Sequence, residues 1–458
     1  MEAYSYYTFL AGLLLLIAAC SEDAPVGDPN LGAVNPQTYV AIGTSISAGY
    51  QSGALFEEAQ IYSFPNLIAR QLGVSEFVQP IFPYPGTGDL MILRQITPTP
   101  VITNNGQVTS APANVTHPQP FHNLGIPGAI MADAIDTSDV MQRAADRANP
   151  FYPFILRDQA VFGKSMIEQL VRLQPTLITF ELGSSDVLGY AASGGTRGTN
   201  IGLGGHPPRT LPTEAQVFET ILKQALDMIK ANLPDAQVLV ATVPEVTVIP
   251  LFTTIPRKIP NPTNPEQLLD IYFTTNDQQK RVVQSADYVL LTAQAELAKG
   301  IGLHPDMPLP SQYVLDANEV KIAQDAVDAF NAAIRRQVTD HGYILVDVQP
   351  LLQRIHSEGI DIAGETYSSA YISGGVFSLD GVHLMPRGNA LLANHYIETL
   401  NTAFNANIRY VAMNDIPGIP VPTGMQKTAS RSEWVTGLRL PSLDIGRITV
   451  HLSLIHIS

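Results

Sequence analysis

The chain has 458 residues, 45% of them hydrophobic, so a sizeable core can form and disorder is excluded as the main state. Its 26 Lys+Arg against 41 Asp+Glu leave a formal charge of −15, which excludes the basic surface that a nucleic-acid partner would need. A single cysteine excludes a disulfide framework and any cysteine-based zinc or iron–sulfur site. The length allows about three domains of typical size, or one large α/β domain with long insertions.

Phe9 to Ala19 reads FLAGLLLLIAA. The run is shorter than the roughly 20 residues that span a bilayer, and it has the length of a signal-peptide apolar region. It ends in Ile17-Ala18-Ala19-Cys20. Small residues followed by cysteine resemble the bacterial lipobox, where a peptidase cleaves before the cysteine and the thiol carries diacylglycerol. The only cysteine of the chain stands at the one position that motif requires. Residues 1–8 hold Glu2 and no Lys or Arg, a departure from the usual positive flank. The expectation is a lipoprotein signal peptide over 1–19, a lipid anchor on Cys20 and a flexible tether over 20–37. Several acyl chains together hold a protein at a membrane without a transmembrane helix. That implies the bacterial cell envelope, on the periplasmic side or at the outer membrane and cell surface.

Beyond the tether, Thr38 to Gly43 is a short apolar run ending in glycine, the signal of a buried strand. Similar runs are Thr176–Leu182, Gln237–Val243 and Tyr343–Val348. Helical spacing lies between them. Phe64, Leu67, Ile68 and Leu72 form one stripe, with Ser63 ahead and Gly73 as the stop. Thr213 and Gln216 are spaced as a capping box ahead of Phe218, Leu222 and Ile229. Ala323, Val327, Phe330 and Ile334 form a stripe ended by Gly342. Pro386 opens a last helix with Leu392, Tyr396 and Leu400 on one face. Strands without alternation, separated by amphipathic helices, predict a mainly parallel sheet covered on both faces. Gln95–Asn123, the Gly-rich Ala191–Pro212 and the Pro-rich Val246–Pro265 break the alternation and read as long loop insertions. The domain is expected over 38–424. From about Met425 the sequence looks unlike it, and 425–458 are set aside as a tail of uncertain origin, non-native being one reading.

Reactive groups of open α/β sheets sit at the carboxyl ends of strands. The first strand runs into Gly43-Thr44-Ser45-Ile46-Ser47-Ala48-Gly49, a serine between glycines. Such a serine needs a base and an orienting carboxylate to become a nucleophile. Both stand near the other end of the chain, in Asp380-Gly381-Val382-His383 ahead of Pro386. An Asp three residues before a His can hold imidazole Nδ1 and leave Nε2 to take the serine proton. No Gly-x-Ser-x-Gly occurs anywhere, which speaks against an α/β-hydrolase elbow.

Together these blocks resemble the SGNH/GDSL hydrolase superfamily, over roughly Tyr39 to Phe404. Its Gly-Asp-Ser-Leu block corresponds to Gly43-Thr44-Ser45-Ile46, and Asn123-Leu124-Gly125-Ile126-Pro127-Gly128 to the block that carries an oxyanion glycine, here Gly128. Its Gly-x-Asn-Asp block corresponds to Gly183-Ser184-Ser185-Asp186, and its Asp-x-x-His block to Asp380–His383. The resemblance implies a three-layer α/β/α sandwich of flavodoxin-like type and ester hydrolysis without metal or cofactor. It implies Ser45, His383 and Asp380 as catalytic residues, and Ser45, Gly128 and Ser185 as the oxyanion hole. Two residues depart from the pattern. Thr44 replaces the usual Asp, and Ser185 replaces an Asn whose amide would donate to the oxyanion from farther out. The leading expectation is a membrane-anchored esterase or lipase acting on lipid or other acyl esters. The alternatives are a carbohydrate O-acetyl esterase and a non-catalytic binding lipoprotein on a decayed scaffold.

Overall fold

The buried apolar runs assemble into one parallel sheet of five strands: β1 (Tyr39–Gly43), β2 (Asn123–Gly125), β3 (Leu177–Glu181), β4 (Gln237–Ala241) and β5 (Ile344–Val346). Every residue of β1 and β3 is buried, as the absence of alternation predicts for strands covered on both sides. The spatial order is β2-β1-β3-β4-β5, the flavodoxin-like order, whose topological switch point lies between β1 and β3. In the computed structural model the described residues are 30–96, 100–196, 211–261 and 264–418. The residues expected to form the signal peptide, 1–19, Cys20, the tail expected from 425 and most of the Gly-rich stretch, 197–210, lie outside them.

Eight helices serve the argument: α1 (Ser45–Ala48), α2 (Phe64–Gln71), α3 (Met166–Arg172), α4 (Ser185–Ala191), α5 (Ala215–Asn232), α6 (Ala317–His341), α7 (Val348–Ser357) and α8 (Pro386–Phe404). α5 packs on α3 and α6, and α6 on α4. α8 packs on α2 and α7. With the sheet between these two groups, the architecture is the expected three-layer α/β/α sandwich. The α6 stripe of Ala323, Val327, Phe330 and Ile334 is fully buried. Gly342 ends that helix at φ 68°, a left-handed conformation glycine adopts at no steric cost. Pro386 opens α8 at its first turn, where a missing N–H is harmless.

Four expectations need correction. Thr213 does not cap α5. Its hydroxyl donates to Asp186 Oδ1 at 2.6 Å, and the helix begins after Glu214 with no side-chain cap. A carboxylate outcompetes the weak helix-end amide for that hydroxyl. Residues 30–37, expected in the tether, lie against the domain. Val34 is buried, and Gln237 brackets the segment by accepting Asn35 N–H and donating to the Ala33 carbonyl. Gln95–Asn123 is not plain loop, because Val101–Asn104 pairs with Met91–Gln95. Nor is Val246–Pro265: it holds a helical turn, Pro250–Thr253, and one arm of a hairpin, Lys258–Asn261 against Asn264–Asp270. The chain beyond closes a small second core around Ile271, Phe273 and Leu309.

Candidate active site

Three strand ends converge at the switch point. β1 runs through Thr44 into α1, whose first residue is Ser45, 2% exposed. Thr44 caps this short helix by accepting the Ile46 N–H, and Gly49 closes it at φ 78°. Gly43 is required by close approach: a Cβ there would collide with the Ser47 hydroxyl and stand 2.8 Å from Glu181 Oε2.

The second component is the loop ahead of α8. His383 Nδ1 lies 2.9 Å from Asp380 Oδ2, and both side chains are essentially inaccessible to solvent. Asp380 also accepts the N–H groups of Val382, His383 and Gly53 and the Ser378 hydroxyl. Burial alone would raise its pKa. The adjacent His383 and these donors outweigh burial and hold the carboxyl at about 2. The pair is tied to the nucleophile region: Ser52 N–H donates to Ser378 Oγ, and Leu379 N–H to Ser52 Oγ. The Tyr50 ring packs on the imidazole with centroids 4.7 Å apart. A neutral imidazole donating through Nδ1 has Nε2 as its basic nitrogen.

Ser45 and His383 line the same cavity, of about 80 Å³. Its polar members are Ser45, Glu181, Ser184, Thr242, Glu245, His383 and the phenol of Tyr396. The rest is apolar, with walls from Ile249, Leu351, Leu352, Ile355, Phe377 and Leu392 among others.

The expected oxyanion residues are placed as follows. Ile126 N–H donates to the Gly43 carbonyl, which sets Gly128 two residues beyond a residue bonded to the nucleophile strand. Gly128 has φ 77°, and Asn149 holds the preceding Pro127 carbonyl at 2.7 Å. Ser185 opens α4 and is fully buried. Its hydroxyl has no hydrogen-bond partner among the described residues. Neither residue lines the cavity, whereas Ser184 does. Asp186 points away to Met131 N–H and Thr213, so its place in the Gly-x-x-Asp block is structural.

Sequence reasoning missed Glu181. It ends β3 beside Gly43, lines the cavity, and accepts from Thr44 and Ser47 on either side of Ser45. The signal was present: one charged residue at the carboxyl end of an otherwise uncharged, fully buried strand. Burial pushes its carboxyl up, and hydrogen bonds from Thr44 and Ser47 offset only part of that.

Comparison with known proteins places the chain. The family described as GDSL-like Lipase/Acylhydrolase matches residues 39–396. No curated protein matches. Among solved structures, the chain is similar to a protein of Parabacteroides merdae ATCC 43184 assigned as a GDSL-like lipase, at 13% identity, 81% of this chain and 99% of that one, TM-score 0.33. It is similar to an extracellular lipase from Streptomyces rimosus, at 15% identity, 80% and 98% coverage, TM-score 0.32. It is also similar to the acetyl xylan esterase AlAXEase, at 12% identity, 79% and 98% coverage, TM-score 0.31. These superpositions are too loose to add to the family match. On that match, from the first strand to the last helix, the chain belongs to the GDSL-like lipase/acylhydrolase family.

Proposed function

We propose that the protein is a serine ester hydrolase with Ser45, His383 and Asp380 as its triad, held at the bacterial cell envelope by a lipid on Cys20. The observation that carries the reading is the buried Asp380–His383 couple opening, with Ser45, onto one mostly apolar cavity. Ser45 Oγ attacks the ester carbonyl as His383 Nε2 takes its proton. The electron pair moves to the carbonyl oxygen, which the N–H groups of Ser45 and Gly128 and the Ser185 hydroxyl stabilise. The intermediate collapses, the C–O bond to the alcohol breaks, and His383 returns the proton to the leaving oxygen. Water, deprotonated by the same imidazole, then releases the acid.

The cavity walls favour an acyl chain over the acetyl group of a carbohydrate. The cavity's volume of about 80 Å³ is near half that of one able to hold benzene, about 150 Å³. It therefore suits a short chain of about three or four carbons. Each methylene buried there is worth about 0.8 kcal/mol. Across nitrophenyl esters, kcat/KM should rise about tenfold from acetate to butyrate and fall again toward palmitate. A maximum at acetate, with faster release from acetylated xylan, would decide for the carbohydrate O-acetyl esterase. The anchor is tested separately. Wild type should enter the detergent phase of a two-phase extraction and Cys20→Ser the aqueous phase; equal partitioning of the two would refute the anchor.

Ser185 yields a prediction in which activity and stability diverge. A buried hydroxyl without a partner costs about 1–3 kcal/mol in the free enzyme. It is useful only once an oxyanion arrives. Ser185→Ala should lower kcat about 10²-fold with little change in KM. The urea midpoint should stay the same or rise. A wild-type kcat would remove position 185 from the site.

A further inference from the structure

We propose that Glu181 is a positioning residue for hydrolysis: its carboxylate clamps the nucleophile turn to the oxyanion loop, supplying from β3 the charge that Thr44 no longer carries. The proposal rests on the reading of Ser45 as nucleophile. Oε2 accepts the Thr44 N–H at 3.1 Å and the Ser47 hydroxyl at 2.9 Å. The Thr44 hydroxyl lies 3.0 Å from both oxygens, and the Ser184 hydroxyl 3.4 Å from Oε1. Thr44 and Ser47 flank Ser45, and Ser184 precedes Ser185. One carboxylate thus ties the turn that carries Ser45 to the turn that leads into Ser185. Its donors are all neutral, so the cost of burying the charge is offset by hydrogen bonds alone. The backbone makes room for it, because any side chain at Gly43 would crowd Oε2.

The family motif places a carboxylate at position 44. Here that position is a threonine whose hydroxyl turns to Glu181. The site holds one carboxylate beside the nucleophile, and it comes from the neighbouring strand. Two carboxylates could not share that place without mutual repulsion, nor none without leaving the Thr44 N–H unpaired.

The test compares wild type with Glu181→Gln, Thr44→Asp and the double variant, by kcat, KM and the rate of fluorophosphonate labelling on a butyrate ester. Glu181→Gln should lower kcat about 10–100-fold with KM within about twofold, because displaced reacting atoms, not weaker binding, are the defect. Thr44→Asp alone should also be slow. The double variant, with one carboxylate again, should recover to within about tenfold of wild type, a departure from additivity that a packing role would not produce. A wild-type kcat and labelling rate in Glu181→Gln would overturn the proposal. So would a double variant as slow as the product of the single effects. Should Glu181→Gln fail to fold, the double variant decides: folded and faster than Thr44→Asp supports the proposal, unfolded or slower refutes it. Ser45→Ala runs alongside. Hydrolysis surviving there would defeat the functional reading itself, independently of the Glu181 variants.

Discussion

Ser45→Ala should lower kcat for ester hydrolysis about 10⁴–10⁶-fold, the loss seen when a triad nucleophile is removed and only binding and the oxyanion hole remain. The expectation follows from placement. Ser45 is the first residue of α1, immediately beyond β1, and lines the cavity with His383. Ser47 is the obvious rival two residues on. Its hydroxyl is committed to Glu181 Oε2 at 2.9 Å and is fully buried, and Ser47 is absent from the cavity lining. Fluorophosphonate should therefore label wild type and Ser47→Ala and leave Ser45→Ala unmodified. Labelling that persists in Ser45→Ala would end the assignment. Stability should barely change in that variant, since exchanging a serine for alanine at a helix start alters little volume. A loss of rate with an intact fold then reads as lost chemistry.

Asp380→Asn should cost about 10⁴-fold in kcat, the penalty for an imidazole held in the wrong tautomer. Asp380 Oδ2 faces the His383 ring nitrogen and the Gly53 N–H, and Oδ1 faces the Val382 and His383 N–H groups. Every one of these backbone neighbours is a donor. An Asn amide must turn its NH₂ toward one set or the other, leaving donors opposed and about 1–3 kcal/mol of stability lost. If the NH₂ faces the ring, Nδ1 becomes the acceptor and Nε2 carries the proton, so it can no longer take one from Ser45. The acid side of the stability profile changes as well. The folded carboxyl lies at about 2, below its unfolded value of about 4. Its contribution is complete above pH ~4 and lost as pH falls through ~2. Asp380→Asn should remove that fall, measured by urea unfolding between those limits. A variant within tenfold of the wild-type kcat would show that Asp380 does not orient the base.

Much of this was legible because it is local. Four of the five sheet strands announce themselves as continuous apolar runs. The α6 stripe and Gly342, and Pro386 ahead of α8, mark helices by spacing and by end signals read within a single turn. Asp380 and His383 are three residues apart, so their pairing needs only one tight loop. β2 escaped notice, since three residues, Asn123–Gly125, are too few for any period to show. The hairpins between 258 and 282 escaped because three of their strands are only three or four residues long and the fourth, Asn264–Asp270, is mostly exposed and shows no apolar alternation. Thr213 carries a sound capping signal, yet a carboxylate 27 residues away claims its hydroxyl. Glu181 reads as one odd charge in a buried strand until β3 is laid beside β1, bringing it to Thr44 from 137 residues away. Ser52 meets Ser378 across 326 residues. The residue types and local spacing determined which elements form and which side chains could react. Only the parallel pairing of distant strands decided which carboxylate stands beside the nucleophile, because a buried charge is stable only where the fold happens to deliver its donors.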